Sequence, residues 1–184
     1  MSGKYKTRGS DVGSVVAMTE NAPATGRYTT NGLPHGSTSL TPHVVVTPAA
    51  EAIEFYRDVF GARVVDVTRM PGSEQVAHAV LDFGAGMMTL GDPMNSIGLV
   101  AGDPARGTPF SLALYVPNVD EVTADAEARG ATIRERATTF VSGDRFASVL
   151  DPFGLRWSIM TRVEDISPEE SARRVASWAA TQGA

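Results

Sequence analysis

Hydrophobic positions from Ser39 onward follow two different periods, and these periods predict the elements. A β-branched run from Thr41 to Val46 is typical of a strand. A helix up to Phe60 is predicted next, because Ala52, Phe55, Tyr56 and Val59 recur at helical spacing, and Gly61 follows as a C-cap glycine would. Three strands are predicted next, with Gly-containing turns between them, at residues 63–70, 74–83 and 86–91.

The same order of elements occurs a second time. A strand at 110–116 and a helix at 119–129 are followed by strands at 132–137, 145–150 and 155–160. The copies are offset by 69 residues, which aligns Gly61-Ala62 with Gly130-Ala131 and Val80-Leu81-Asp82 with Val149-Leu150-Asp151. Two copies of this length do not make a repeat array. We therefore predict a duplicated βαβββ module whose halves pack into one domain with a cleft between them.

Three segments lie outside the two modules. Residues 1–37 are rich in Ser, Thr, Gly, Asn and Pro and are predicted to be a flexible N-terminal arm. Residues 96–107 form a linker between modules at 38–95 and 108–162. In the segment 163–184, Ser167-Pro168-Glu169-Glu170 is a capping box that predicts a C-terminal helix. We expect this helix to dock on the body of the domain or on a second subunit.

Charge and composition exclude several classes of protein. The net charge is −5 and no Lys/Arg cluster is present, which argues against a nucleic-acid partner. No apolar run approaches the roughly 20 residues of a membrane helix, and no secretory signal is evident. The absence of cysteine rules out disulfides, thiolate catalysis and Cys-ligated zinc. A cytoplasmic protein with no membrane partner is the expectation.

The doubled module resembles a known superfamily. Phe55-Tyr56 followed by Phe60-Gly61-Ala62 in the first copy, and Asp151-Pro152-Phe153-Gly154 in the second, resemble the glyoxalase/bleomycin resistance/dioxygenase superfamily, which has the vicinal oxygen chelate (VOC) fold. The resemblance covers residues 38–162. It implies an α+β fold of two tandem βαβββ modules that form a partly open barrel with a central cavity, assembled as a homodimer. It does not select a function, because this fold hosts both enzymes and drug-sequestering proteins.

The resemblance also implies where a metal would be bound in metal-dependent members. The ligand positions, on inward-facing strand residues, fall on Thr41, His78, Ser111 and Ser158 of this chain. Only His78 is a strong ligand, since divalent metals usually require three or four His, Asp or Glu donors. His43 lies two residues from Thr41 and faces the same side. We predict no metal cofactor, although His43 and His78 could hold a divalent ion if a substrate, Glu74 or Asp82 completed the site.

Further candidates follow from strand alternation and the repeat. Met88 could line the cavity, although a core role competes with this. Because Ser158 is assigned to the cavity, Trp157 is expected to face the helix layer. Arg145 could clamp a carboxylate or carbonyl, or could form a surface ion pair. The 69-residue offset aligns His78 with Ala147 in the second module.

Two functions remain open from the sequence. The first is metal-independent binding of a small, largely apolar organic molecule between the modules, for sequestration as in resistance proteins or for transformation. Its ligand-binding residues would be Thr41, Met88, Ser111, Arg145 and Ser158, with His78 and His43 as candidate catalytic residues. The alternative is a metal-dependent VOC enzyme, a lyase, isomerase or dioxygenase, that uses His78 and His43.

Overall fold

The computed structural model describes residues 22–103, 105 and 107–182, which group into two units divided between Ser37 and Thr38. In the first unit, strands β1 (Thr29–Thr30) and β2 (Leu33–Pro34) form a small antiparallel hairpin. Asn31 and Gly32 make its turn with φ angles of 49° and 80°. The part of the predicted N-terminal arm up to Asn21 lies outside the described residues.

Two copies of the predicted βαβββ order make up the second unit. The first module contains β3 (His43–Val45), α1 (Ala49–Phe60), β4 (Arg63–Arg69), β5 (Val76–Asp82) and β6 (Met87–Gly91). The second contains β7 (Leu112–Tyr115), α2 (Val119–Ala128), β8 (Thr132–Thr139), β9 (Asp144–Leu150) and β10 (Arg156–Arg162). The predicted elements are confirmed; β3 and β7 are shorter than the apolar runs that indicate them.

Each module forms its own four-stranded sheet, with strand orders β3-β6-β5-β4 and β7-β10-β9-β8. The strands β3 and β6 run parallel, as do β7 and β10, while the other neighbours are antiparallel. One face of each sheet packs on its helix and buries alternate residues, and the other face is more open. The α+β fold of two modules is therefore confirmed, and the two sheets do not close into a barrel.

An aromatic cluster joins the two modules. The Tyr56 and Phe60 rings of α1 lie 5.3 and 4.6 Å from the Trp157 ring of β10, between centroids. All four apolar positions predicted for this helix face, Ala52, Phe55, Tyr56 and Val59, are buried. The helix of the first module thus packs on the second module as well as on its own sheet, and the core is continuous between them.

The buried Asp151 carboxylate anchors this cluster. Its Oδ2 accepts hydrogen bonds from the Tyr56 hydroxyl at 2.7 Å and from Trp157 Nε1 at 2.9 Å. Its Oδ1 accepts from the backbone N–H groups of Phe153 and Leu155. Burial raises the pKa of Asp151, against the opposing effect of these four hydrogen bonds.

The two copies are out of register in one strand, which corrects the alignment from the sequence. In the first module Leu81 pairs with Met88. In the second module the counterpart of Met88, Trp157, pairs with Val149, so Val149 rather than Leu150 is the structural counterpart of Leu81. The reason is that the connection at 151–155 is one residue longer than the connection at 83–86. The Val-Leu-Asp identity is therefore shifted by one residue, and residues one position apart face opposite sides of a strand.

The same shift changes the counterpart of His78. The sequence offset aligned His78 with Ala147, but strand pairing makes Phe146 its structural equivalent. Ala147 is fully buried on the helix face, so it lies on the side of the sheet opposite to Phe146.

A C-terminal helix, α3 (Pro168–Gln182), follows the modules. The predicted helix is confirmed and Ser167 caps it, because Ser167 Oγ accepts from the Glu170 N–H at 3.2 Å. The Glu170 carboxylate bonds to Arg173 and Arg174. None of the described residues of α3 is buried. It is held to the second module by a hydrogen bond from Ser171 Oγ to the Ser142 carbonyl and by edge-on packing of Trp178 on Phe140.

Among the helices of the described residues, none has both the length and the apolar character that a membrane span requires.

Candidate functional site

The open face of the first sheet brings two histidines together. His43 on β3 is the cross-strand partner of Thr89 on β6, which in turn pairs with Val80 on β5, two residues from His78. The imidazole rings of His43 and His78 are parallel within 6°, with centroids 6.0 Å apart. The two candidate catalytic residues are therefore neighbours on one exposed surface.

A hydroxyl orients the ring of His43. Its Nδ1 lies 3.0 Å from Thr89 Oγ1, and that hydroxyl donates to the Pro42 carbonyl at 3.3 Å. Because the Thr89 hydroxyl hydrogen points to the Pro42 carbonyl, the Thr89 oxygen accepts a hydrogen bond from His43 Nδ1–H. The unprotonated ring nitrogen of His43 is therefore Nε2. Partial burial lowers the pKa of His43, and the neighbouring His78 lowers it further. The neutral imidazole is thus favoured at pH 7, with an acceptor nitrogen available.

The structure places Met88 away from this face. Met88 is 3% exposed and packs on the helix side of β6, whereas Thr89 beside it points to the open face with His43. The repeat carries a signal for this arrangement, because the offset of 69 aligns Met88 with Trp157 and Thr89 with Ser158. Trp157 lies in the helix layer as predicted, at 2% exposure. Thr89 is the residue of the site that the sequence reasoning missed.

On the second sheet, three serines lie on the open face, on β9, on β10 and at the residue just before β7. The Ser111 and Ser158 hydroxyls lie 2.8 Å apart, and Ser158 is the cross-strand partner of Ser148 on β9. We call Ser111, Ser158 and Ser148 the serine row. Arg156, two residues before Ser158, donates from Nε to Ser148 Oγ at 2.9 Å. Sequence reasoning placed Ser111 and Ser158 on one surface, and the structure does bring them together.

The remaining two candidates have partners of their own. Thr41 shares a hydrogen bond of 2.9 Å with Thr38 and also donates to the Thr38 carbonyl. Arg145 donates two hydrogen bonds, of 2.7 and 2.6 Å, to the carboxylate of Asp120 in the first turn of α2. The pair holds the pKa of Asp120 below its usual range. Arg145 is thus engaged on the helix side of its sheet in a solvent-accessible ion pair.

An apolar cavity of about 470 Å³ lies between the modules. It is bounded by residues just before β3, by the hairpin that leads into β6 and by the edge strand β7. The large apolar side chains of its wall include Phe83, Met87, Met88, Leu112, Leu114 and Trp157. Met88 therefore lines this cavity although it does not face His43.

Polar candidates border the cavity on both modules. Thr38 lines it and is hydrogen-bonded to Thr41, while Ala113 lines it and is the cross-strand partner of Ser158. Pro42, which also lines it, accepts from the backbone N–H of Thr89 at 2.8 Å. Hydroxyl-bearing side chains thus lie in the cavity lining, at Thr38, and on the strand next to it, at Ser158.

A wider groove of about 600 Å³ runs beside α3. Its two guanidinium groups, on Arg173 and Arg174, are both bonded to Glu170 at 2.8 Å. No candidate residue of the sequence analysis lines it. The cavity between the modules is therefore the better candidate for chemistry.

The donor groups do not fit a tight divalent-metal site. Across residues 22–103, 105 and 107–182, no group of three or more His, Cys, Asp or Glu side chains is placed to hold a metal ion. His43 and His78 supply two imidazoles, while the hydroxyls of Thr41, Ser111 and Ser158 bond to other hydroxyls. Neutral hydroxyls are weak ligands beside the three or four donors that such ions usually take.

Comparison with known proteins agrees with this fold. The family model of the Glyoxalase/Bleomycin resistance protein/Dioxygenase superfamily matches residues 37–159. Uncharacterized proteins of Mycobacterium bovis and Mycobacterium tuberculosis are 35% identical over 136 residues, which is 72% of this chain and 88% and 79% of theirs.

Solved structures share the fold at low sequence identity. Protein PA1353 from Pseudomonas aeruginosa has a TM-score of 0.57 at 18% identity, over 68% of this chain and 98% of that one. TioX from Micromonospora sp. ML1 gives 0.51 at 23% identity, over 71% and 100%. The fosfomycin resistance protein FosX from Listeria monocytogenes gives 0.55 at 13% identity, over 73% and 98%. The chain belongs to the Glyoxalase/Bleomycin resistance protein/Dioxygenase superfamily.

Proposed function

We propose that the chain binds a small, largely apolar organic molecule in the cavity between its modules, without a metal ion. The observation that carries this proposal is the cavity of about 470 Å³, which falls within the range of small-molecule sites. Its wall is mainly aliphatic, thioether and aromatic, and hydroxyls stand at its border. Such a lining buries an apolar body and orients it through a few hydrogen bonds.

Sequestration is the form of binding that we favour. FosX is described as a fosfomycin resistance protein, and the family model includes bleomycin resistance proteins by name, so resistance to a toxic compound is represented among similar folds. Sequestration is one way in which a binding protein would provide such resistance. A metal-independent transformation on the same ligand is the other form. The homodimer and the cytoplasmic location predicted from the sequence remain predictions under this proposal.

Trp157 provides an optical test, because it lines the cavity and the only other tryptophan is Trp178. In the Trp178→Phe variant, titration with the neutral probe N-phenyl-1-naphthylamine should quench Trp157 emission saturably, with energy transfer to the probe. Ala113→Phe should block binding, because it places a ring at the cavity border. Ala172→Phe on exposed α3 is the matched control and should bind as before. Unsaturable quenching, or equal binding by both variants, would contradict the proposal.

The second candidate function is an enzyme that uses His43 and His78. The observation that favours it is the parallel pair of imidazoles, with a pKa of His43 that is lowered by burial and by His78. An imidazole with an unprotonated Nε2 suits a general base that removes a proton next to a carbonyl.

Metal analysis of purified protein separates the versions of this candidate. Stoichiometric zinc, iron, nickel or manganese that is lost in His43→Ala and His78→Ala would contradict metal-free binding and support the metal-dependent alternative. A protein free of these metals leaves binding or general-base catalysis. His78→Ala then decides between them: catalysis predicts lost turnover at nearly unchanged ligand affinity, and simple binding predicts no turnover in either protein.

A further inference from the structure

We infer that the molecule bound between the modules is a carboxylic acid with an apolar body, and that Arg156 binds its carboxylate at the end of the serine row. This inference rests on the proposed binding function and names the class of its ligand. Arg156 belongs to the open face of the second sheet, because it lies two residues before Ser158 and in contact with Ser148.

The guanidinium of Arg156 is oriented by its partners but not saturated. Nε donates to Ser148 Oγ at 2.9 Å and Nη2 donates to Glu135 Oε1 at 2.8 Å. Ser148 is completely buried, so this contact fixes the inner edge of the group on the sheet. A guanidinium has five N–H donors, and these bonds use two of them. The remaining donors form a planar fork that matches a carboxylate.

Glu135 is an exchangeable partner. Its side chain is 56% exposed, and it accepts a single hydrogen bond from Arg156. Exposed ion pairs of this kind contribute little to stability, because solvent screens them. A ligand carboxylate that is partly withdrawn from water would compete with Glu135 for the same guanidinium.

The serine row adds another donor on the same surface. When one of the Ser111 and Ser158 hydroxyls donates to the other across 2.8 Å, the acceptor keeps its own hydrogen free. A free hydroxyl hydrogen and a cationic fork both require an acceptor from the ligand. The other charged pair on this face, Asp144 with Arg162, is closed by an Nε–Oδ1 contact of 3.0 Å.

The apolar cavity is lined by β7, the strand that neighbours β10 with its Ser158 and Arg156. Ala113 and Tyr115 of β7 line the cavity, and they are the cross-strand partners of Ser158 and Met160 on β10. Adjacent strands are about 4.8 Å apart, and two residues along a strand span about 7 Å. A ligand whose body lies in the cavity and whose end reaches Ser158 would have the backbone of Arg156 about 7 Å further along β10. The guanidinium of Arg156 extends from there across β9 toward Ser148 and Glu135.

A matched pair of probes tests the inference. 4-Phenylbutyrate and its neutral amide, 4-phenylbutyramide, have the same apolar body and differ in the charge of the head group. By isothermal titration at pH 7.5, the acid should bind on the order of tenfold or more tightly than the amide, as expected for a hydrogen bond to a charged group. Arg156→Gln should abolish this preference and leave the amide affinity unchanged.

Glu135→Gln should change the affinity for the acid in the direction opposite to Arg156→Gln. It removes the competing carboxylate and should tighten acid binding severalfold, which a merely structural ion pair would not do. Arg136→Gln is the matched control for Arg156→Gln, because Arg136 of β8 lies toward Glu127 of α2 and its replacement lowers the net charge by the same one unit. This control should keep the acid preference.

The outcomes separate the two proposals. Equal affinity for acid and amide, or an acid preference that survives in a folded Arg156→Gln, overturns the carboxylate inference and leaves apolar binding standing. The same holds if Glu135→Gln leaves acid binding unchanged. If neither phenylbutyl probe binds while N-phenyl-1-naphthylamine does, the carboxylate inference again falls alone. If none of the three probes binds, the proposed function fails and the inference fails with it.

Discussion

Removal of a single hydroxyl tests the link between the two modules. Tyr56→Phe deletes the donor that lies 2.7 Å from Asp151 Oδ2 and keeps the ring that packs on Trp157. Tyr56 is fully buried and Asp151 is 3% exposed, so water does not replace the lost bond without rearrangement. A hydrogen bond to a charged group contributes about 1.5–3 kcal/mol to the free energy of unfolding. We expect a loss of that size.

Differential scanning calorimetry and urea titration measure this loss. A chain of this length shifts its melting temperature by about 2–4 °C per kcal/mol, so the expected decrease is about 3–12 °C. Tyr115→Phe is the control, because its hydroxyl lies on the exposed surface at 3.3 Å from Asp144. That variant should stay within about 0.5 kcal/mol of the wild type. Equal effects of the two variants would refute the reasoning.

The pKa of Asp151 adds a pH dependence with a definite sign. Burial raises the pKa of Asp151 above that of the unfolded chain, about 3.9, so the folded state retains the proton to higher pH. The contribution of this group to stability is therefore full below pH 3.9 and is lost as the pH rises through the folded pKa. Asp151→Asn cannot titrate, so the stability of the wild type relative to this variant should fall with rising pH across that window. A relative stability that rises there would contradict the assignment.

Three further changes have defined outcomes. Gly91→Ala places a Cβ 2.8 Å from the Ala77 carbonyl oxygen and should cost about 1–3 kcal/mol by urea unfolding, whereas Gly86→Ala meets no atom within 4 Å and should be neutral. Arg145→Gln breaks an exposed ion pair with Asp120, so it should lower the melting temperature at low salt but not at 0.5 M NaCl. Binding of N-phenyl-1-naphthylamine should be unchanged. A decrease in melting temperature that is the same at both salt concentrations would argue against a screened ion pair. Trp178→Ala removes the aromatic contact with Phe140 and should speed amide hydrogen exchange in α3 but not in β8 or β9. Unchanged exchange in α3 would mean that this contact does not hold the helix.

Local signals made most of the fold predictable. The helix stripe from Ala52 to Val59, the stop at Gly61 and the N-cap at Ser167 depend on residues within a few positions along the chain. The structure confirms each of them. The predicted lengths of β3 and β7 were too long, because the length of a strand depends on its partner strand and a local sequence pattern does not contain that information.

The candidate site was predictable only in part. His43 and His78 converge as alternation on neighbouring strands suggested, and so do Ser111 and Ser158. Met88 lines the cavity but lies on the opposite side of β6 from the histidines, because adjacent strand residues point to opposite faces of a sheet. The partners that orient the polar groups, such as Thr89 for His43, are long-range and leave no local pattern.

Sequence alone was sufficient to establish the duplication, the order of elements and the family, because periodicity, caps and turns are written in neighbouring residues. It aligned Asp82 with Asp151 as equivalents. In the folded chain Asp82 bonds the exposed Arg63, while Asp151 is buried among Tyr56 and Trp157. The two aspartates differ in environment because the connection that contains Asp151 has one extra residue, which shifts the pairing of the preceding strand. This difference becomes visible only when the two modules are packed against each other. The same packing sets which polar groups border the apolar cavity, since burial and hydrogen bonding depend on residues distant in sequence.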